Sequence, residues 1–155
     1  MKLEEEKNFS KKFFQFGIVL SKWNESVTTD LYKDVSNTLV NLGYFEKNIH
    51  SWESTGSFEL IYAADKICAN SQLDSLILIG SLEKGETEYF QYICKSLLQG
   101  IKNINIVYET PVILCILNYE NKKHRDTKNI KIGNRGIESA KTAVKMAFLK
   151  NILIK

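Results

Sequence analysis

The chain has 155 residues, 44% of them hydrophobic and 25% charged, which suits one globular domain with a sizeable core. Twenty-one basic side chains against eighteen acidic ones leave a net charge of +3. That is too little for a nucleic-acid or membrane-surface footprint, and no basic stripe interleaves with aromatics.

Residues 1–12 (MKLEEEKNFSKK) are charged enough to predict a mobile arm, ahead of a single domain over 13–155. The arm lacks the apolar centre of a signal peptide, and no later run reaches a transmembrane span, so a cytoplasmic protein is expected. Phe13–Ser21 (FFQFGIVLS) is a nearly continuous apolar run, the pattern of a strand covered on both faces. Leu31, Val35, Leu39 and Leu42 then recur at helical spacing, with Ser26, Thr28 and Thr29 as candidate caps and Gly43 as the stop. Asn48–Glu53 reads as a weaker strand, Phe58–Ala69 as a helix and Ser75–Leu82 (SLILIGSL) as the clearest strand. Beyond Thr87, the residues Phe90, Ile93, Leu97, Leu98 and Ile101 mark one helix face. Pro111–Leu117 predicts a fourth strand, with the only proline at its first position, where the missing N–H is tolerated. A Lys-rich polar stretch and Gly133-Asn-Arg-Gly136 lead to a last helix over Glu138–Leu149. The expected order is β-α-β-α-β-α-β-α-α, an α/β fold with a parallel sheet and helices on both faces.

Such sheets bind ligands beyond the carboxyl ends of their strands, which directs attention to Lys22–Glu25, Ser54–Glu59, Leu82–Thr87 and Asn118–Asn121. Lys84-Gly-Glu-Thr87 offers a permissive glycine, a hydroxyl and the free N–H groups of a helix start, which together can hold a phosphate. As a β-α turn with a threonine cap, it is equally ordinary. Trp23 ends the first strand and can stack on a planar ring, or simply pack. Glu59 begins the second helix, where a carboxylate can bind a polyol or merely suit the dipole. Cys68, Cys94 and Cys115 lie far apart in apolar runs without CxxC spacing, as buried reduced thiols would. Neither His50 nor His124 has a second soft ligand close by, so no metal site is expected.

Taken together, FGIVLSKWNES, TGSFELIYAA, IGSLEKGETEYFQYI, TPVILCIL and GNRGIESAKTAVKMA resemble the conserved blocks of 6,7-dimethyl-8-ribityllumazine synthases, in order and spacing. The resemblance runs from about Phe16 to Leu149. It implies a flavodoxin-like three-layer sandwich with a four-stranded parallel sheet. It also implies pentamers, in some members packed twelve at a time into a hollow icosahedral shell, with active sites between neighbouring subunits. The implied reaction condenses 5-amino-6-ribitylaminouracil with 3,4-dihydroxy-2-butanone 4-phosphate, without a cofactor, in riboflavin synthesis.

By that resemblance Trp23 stacks on the pyrimidine. Ser57, Phe58 and Glu59 hold the ring and the ribityl chain, while Leu82 and Glu83 line the pyrimidine with their backbone. Gly85, Glu86 and Thr87 form the phosphate turn. Arg135 stands where the family has a lysine near the ligand, and Glu138 matches the acid that orients a catalytic histidine. That histidine is Tyr89 here, and the acidic residue two places on is Gln91. The aromatic that a neighbour lends from the fourth strand is Leu114, and Ile61 replaces a proline. The phosphate-clamping arginine falls near Thr127, in a segment one residue short, with Arg125 or Lys128 as possible replacements.

A histidine near pKa 6.5 exchanges protons at neutral pH; a tyrosine near 10 stays protonated. Three readings follow. The chain is a lumazine synthase with an altered proton shuttle, or a degenerate homologue kept as an oligomeric scaffold or flavin-like ligand binder. The third is a sister activity, such as the archaeal type of riboflavin synthase.

Overall fold

Phe16, Ile18 and Leu20 face one side of the first strand, and Gly17 and Val19 face the other. Because both faces are apolar, both must be covered, and the chain does this with helix pairs. The computed structural model describes residues 13–85, 88–120 and 132–154. In chain order the elements are β1 (Phe16–Ser21), α1 (Glu25–Asn41), β2 (Ile49–Ser54), α2 (Leu60–Asn70), β3 (Ser75–Lys84), α3 (Tyr89–Val107), β4 (Val112–Glu120) and α4 (Arg135–Leu153). The four strands form one sheet in the order β2-β1-β3-β4, parallel throughout. This is the α/β flavodoxin-like arrangement expected, a sheet between two helical layers.

One core lies under α1 and α4, where Leu31, Val35, Leu39, Ala140, Ala143 and Phe148 meet Phe16, Ile18, Ile77, Ile79, Ile113 and Cys115. The other lies under α2 and α3, where Leu60, Ala64, Leu97, Ile101 and Ile104 meet Val19, Leu76, Leu78, Val112 and Ile116. β2 is an edge strand paired with β1 alone, and its His50, Ser51, Trp52 and Glu53 are exposed.

Several boundaries differ from the expected ones. β1 begins at Phe16, since Gln15 exchanges hydrogen bonds with Asp74: its N–H donates to Oδ2 at 2.6 Å, and its carbonyl accepts from the Asp74 N–H at 2.8 Å. Ser26, Thr28 and Thr29 are not caps. α1 starts at Glu25 behind Asn24, and buried Thr28 donates its hydroxyl to the Ser21 carbonyl at 2.7 Å. Asn48 belongs to a 3-10 turn over Glu46–Asn48, so β2 starts one residue later than expected. α2 starts at Leu60 and runs to Asn70.

β3 and β4 each run past their apolar segments, pairing Leu82 with Asn118, Glu83 with Tyr119 and Lys84 with Glu120. Parts of both expected loops are therefore strand. Backbone pairing needs no apolar side chain, so hydropathy could not mark this extension. Pro111 precedes β4, and its carbonyl accepts from the Leu76 N–H at 2.9 Å. α4 is longer than expected at both ends, and one helix, not two, follows β4 among the described residues. The expected arm (1–12), Glu86, Thr87, His124, Arg125, Thr127 and Lys128 lie outside the described residues.

Gly136 explains part of the GNRG segment. A Cβ there would come within 2.7 Å of Asp34 Cβ and 3.0 Å of the Leu31 carbonyl oxygen, so α4 crosses α1 backbone to backbone. Gly136→Ala gains about 1 kcal/mol of helix propensity, yet it drives a methyl into a neighbouring main chain, at a cost of about 1–3 kcal/mol. We expect a net loss, seen as a lower urea midpoint by circular dichroism; an unchanged or higher midpoint would show that the crossing can spread freely.

Candidate functional site

The carboxyl end of the sheet opens into a cleft of about 320 Å³ lined by Trp23, Gly56, Ser57, Phe58, Glu59, Ser81, Leu82, Glu83, Tyr89, Phe90 and Ile93. Seven of the sequence candidates meet here: Trp23, Ser57, Phe58, Glu59, Leu82, Glu83 and Tyr89. Main-chain bonds fix the frame. Lys22 N–H donates to the Ser54 carbonyl at 2.8 Å and Trp23 N–H to the Thr55 carbonyl at 3.1 Å, which carries β1–β2 pairing into the loops. Asn24 then turns with φ 58° and ψ 52°, a left-handed conformation that asparagine tolerates better than most residues. Its side-chain amide donates to the Tyr119 hydroxyl, tying the Trp23 loop to the end of β4.

Ser57 is buried, and its hydroxyl donates to the Ser81 carbonyl at 2.9 Å, pinning the start of α2 to β3. The hydroxyl proton is thus already engaged. Gly80 permits that approach, since a Cβ there would meet Ser57 Oγ at 2.7 Å. Glu59 stands exposed at the N-cap of α2 and makes no capping bond; its carboxylate lies over Gly56, where a Cβ would meet Oε2 at 2.6 Å. Trp23 is 62% exposed, Phe58 50% and Tyr89 70%. Three large aromatics left so open around one cleft are a surface waiting for a cover.

Leu114, Arg135 and Glu138 are elsewhere. They line a second concavity of about 440 Å³ with Val112, Ile113, Ser139, Thr142 and Met146, between β4 and α4. Glu138 is exposed and meets Lys141 of the same helix at 3.9 Å. Tyr89 and Glu138, expected to cooperate, therefore line different concavities of one chain. Gly85 follows β3 and is exposed; Glu86 and Thr87, the rest of the expected phosphate turn, fall outside the described residues.

Electrostatics narrows the choices further. Lys22 lies beside the cleft, but Glu25 at 2.8 Å and Glu53 at 3.3 Å claim its ammonium and hold its pKa above the ordinary lysine value. It is a poor candidate for binding a phosphate. Burial pushes Cys68 up to about 11 and raises Cys94 and Cys115 as well, so none of these thiols offers a thiolate at neutral pH. No three His, Cys, Asp or Glu side chains are grouped to hold a metal ion among the described residues, and no described helix is long and apolar enough to cross a membrane. A wider concavity of about 1000 Å³ opens at the opposite, amino end of the strands, lined by Gln15, Cys68, Asp74, Tyr108 and Lys150 among others. It contains none of the sequence candidates.

Sequence reasoning missed Ser81, Phe90 and Ile93 as cleft residues. Phe90 and Ile93 carried a visible signal as one face of α3, but which wall that face forms depends on the crossover. The Asn24–Tyr119 tie had no signal, since it joins residues far apart in the chain.

A family model for 6,7-dimethyl-8-ribityllumazine synthase matches residues 14–151. The chain is 41% identical to the 6,7-dimethyl-8-ribityllumazine synthase of Flavobacterium psychrophilum, over 90% of this chain and 74% of that protein. It is 39% identical to the like-named protein of Christiangramia forsetii, over 90% and 84%. With that of Bacteroides fragilis it shares 38% identity, over 85% and 93%. The chain belongs to the 6,7-dimethyl-8-ribityllumazine synthase family, the transferases of riboflavin biosynthesis.

Proposed function

We propose that this protein condenses 5-amino-6-ribitylaminouracil with 3,4-dihydroxy-2-butanone 4-phosphate, in the cytoplasm, in a site completed by a second copy of the chain. The observation that supports this most is the division of candidates between two concavities. Trp23, Ser57, Phe58, Glu59, Leu82, Glu83 and Tyr89 line one, and Leu114, Arg135 and Glu138 line the other. A ring of subunits set head to tail brings the second concavity of one copy to the first of the next. A pentamer meets that need, and twelve pentamers in a closed shell meet it equally.

In this reading the pyrimidine stacks on Trp23, the ribityl chain reaches Glu59, and the phosphate sits at the start of α3 with Gly85, Glu86 and Thr87. Arg135, with Arg125 or Lys128, supplies positive charge from the adjoining copy. Holding two reactants in register contributes about 7–11 kcal/mol, so turnover survives without a histidine at position 89. The rate is reduced, because a missing acid–base group costs roughly 10²–10⁴-fold.

A second reading is favoured by Tyr89 and Leu114, which replace a proton carrier and a stacking ring: a scaffold that binds the heterocycle without turnover.

A turnover assay following lumazine absorbance separates the two. Tyr89→His should raise the rate by roughly 10²-fold with ligand affinity unchanged; no gain, with binding intact, would mean that the histidine is not what limits the reaction. Subunit mixing tests the shared site. Trp23→Ala and Glu138→Ala, each impaired alone, should regain activity when dissociated and reassembled together, because some interfaces then join two intact halves. Failure of the mixed assembly, with reassembly shown by light scattering, places both halves on one chain.

A further inference from the structure

Glu83 is the acidic side chain of the first cleft that comes from a strand rather than a helix start, and its Oε1 is shut off from solvent without a hydrogen-bond partner among the described residues. Such stranded oxygens are rare and need a reason, which at a ligand cleft is a donor that arrives with the ligand.

Its position fits. Side chains alternate along a strand, so Ile79, Ser81 and Glu83 form one row of β3. Ile79 closes the core under α1 and α4, and the Ser81 hydroxyl reaches the Trp23 carbonyl at 3.5 Å. Glu83 is next in the row. Its partner in register is Tyr119, whose hydroxyl meets Asn24 beside Trp23. The carboxylate thus belongs to the corner bounded by the Trp23–Asn24 loop and the end of β4, where a ring stacked on Trp23 presents its edge. Tyr89, which also lines the cleft, is 70% exposed.

We propose that Glu83, through its side chain, is a proton-accepting group of this site. This rests on the reaction assigned above. As the primary amine of the pyrimidine attacks the ketone carbon, the C–N bond forms and the carbonyl π pair moves onto oxygen. Glu83 takes a proton from the nitrogen and returns it to that oxygen, giving the carbinolamine hydroxyl; it then takes the second nitrogen proton and delivers it to the hydroxyl as the C=N bond forms. That group leaves as water when the imine forms. The carboxylate is regenerated and nothing is oxidised or reduced. An ionised carboxyl accepts and a protonated one donates, so one side chain serves both halves of the step.

The test compares wild type, Glu83→Gln and Glu83→Ala in single-turnover lumazine formation, with affinity for the pyrimidine substrate read from tryptophan fluorescence. Glu83→Gln should slow the reaction roughly 10²-fold or more while affinity stays within about threefold. Glu83→Ala should be equally slow and should recover at least about tenfold on adding formate, a small carboxylate that can enter the space left. A Glu83→Gln rate close to wild type overturns the proposal, as does a loss of rate matched by an equal loss of affinity, or an alanine variant that formate does not help. Should wild type itself form no lumazine, the assigned reaction falls and this role with it; an active wild type beside an equally active Glu83→Gln removes the role alone.

Discussion

A parallel sheet covered on both faces has nowhere to put polar chemistry except at its ends, and that constraint organises this molecule. Strands β1, β3 and β4 are sealed between α1 and α4 on one side and α2 and α3 on the other. β1 and β3, each flanked by two strands, satisfy their backbone groups within the sheet. Free donors, acceptors and charges can therefore gather only where the strands stop. At the carboxyl end they do so around Trp23, Ser57, Glu59 and Glu83. The seal is tight enough that two glycines mark contacts a methyl would break: Gly80 against Ser57 and Gly136 against the backbone of α1.

The fold was legible wherever burial imposed a period. Leu31, Val35 and Leu39 announced the inner face of α1, and the apolar run from Ser75 announced β3, because a core accepts only apolar side chains at those places. What escaped was held by main-chain bonds. The last three pairs between β3 and β4 involve Leu82–Lys84 and Asn118–Glu120, a mostly polar set that reads as loop until the partner strand is known. Asn24 escaped similarly, its left-handed turn being fixed by neighbours from β2 and β4 rather than by a local cap.

The site was legible to a different depth. The sequence named seven residues that the fold brings into one cleft, because loops after successive parallel strands must converge. It also named Leu114, Arg135 and Glu138, which line a different concavity. One chain's topology separates these groups, so nothing in a single copy's pattern could have joined them. Composition could not show that Ser57 spends its hydroxyl on Ser81, or that Lys22 is held by Glu25 and Glu53.

The exposure of Tyr89 has an evolutionary corollary. Its ring rests on neither core, so exchanging it leaves the folding equilibrium almost untouched, whereas an exchange at Phe16 or Leu78 would be felt at once. Selection on folding and selection on chemistry thus act on separate sets of positions. A lineage can change the exposed residues of this cleft one at a time while the scaffold beneath remains fit to fold, and Tyr89 at the head of α3 is among the cheapest positions to change.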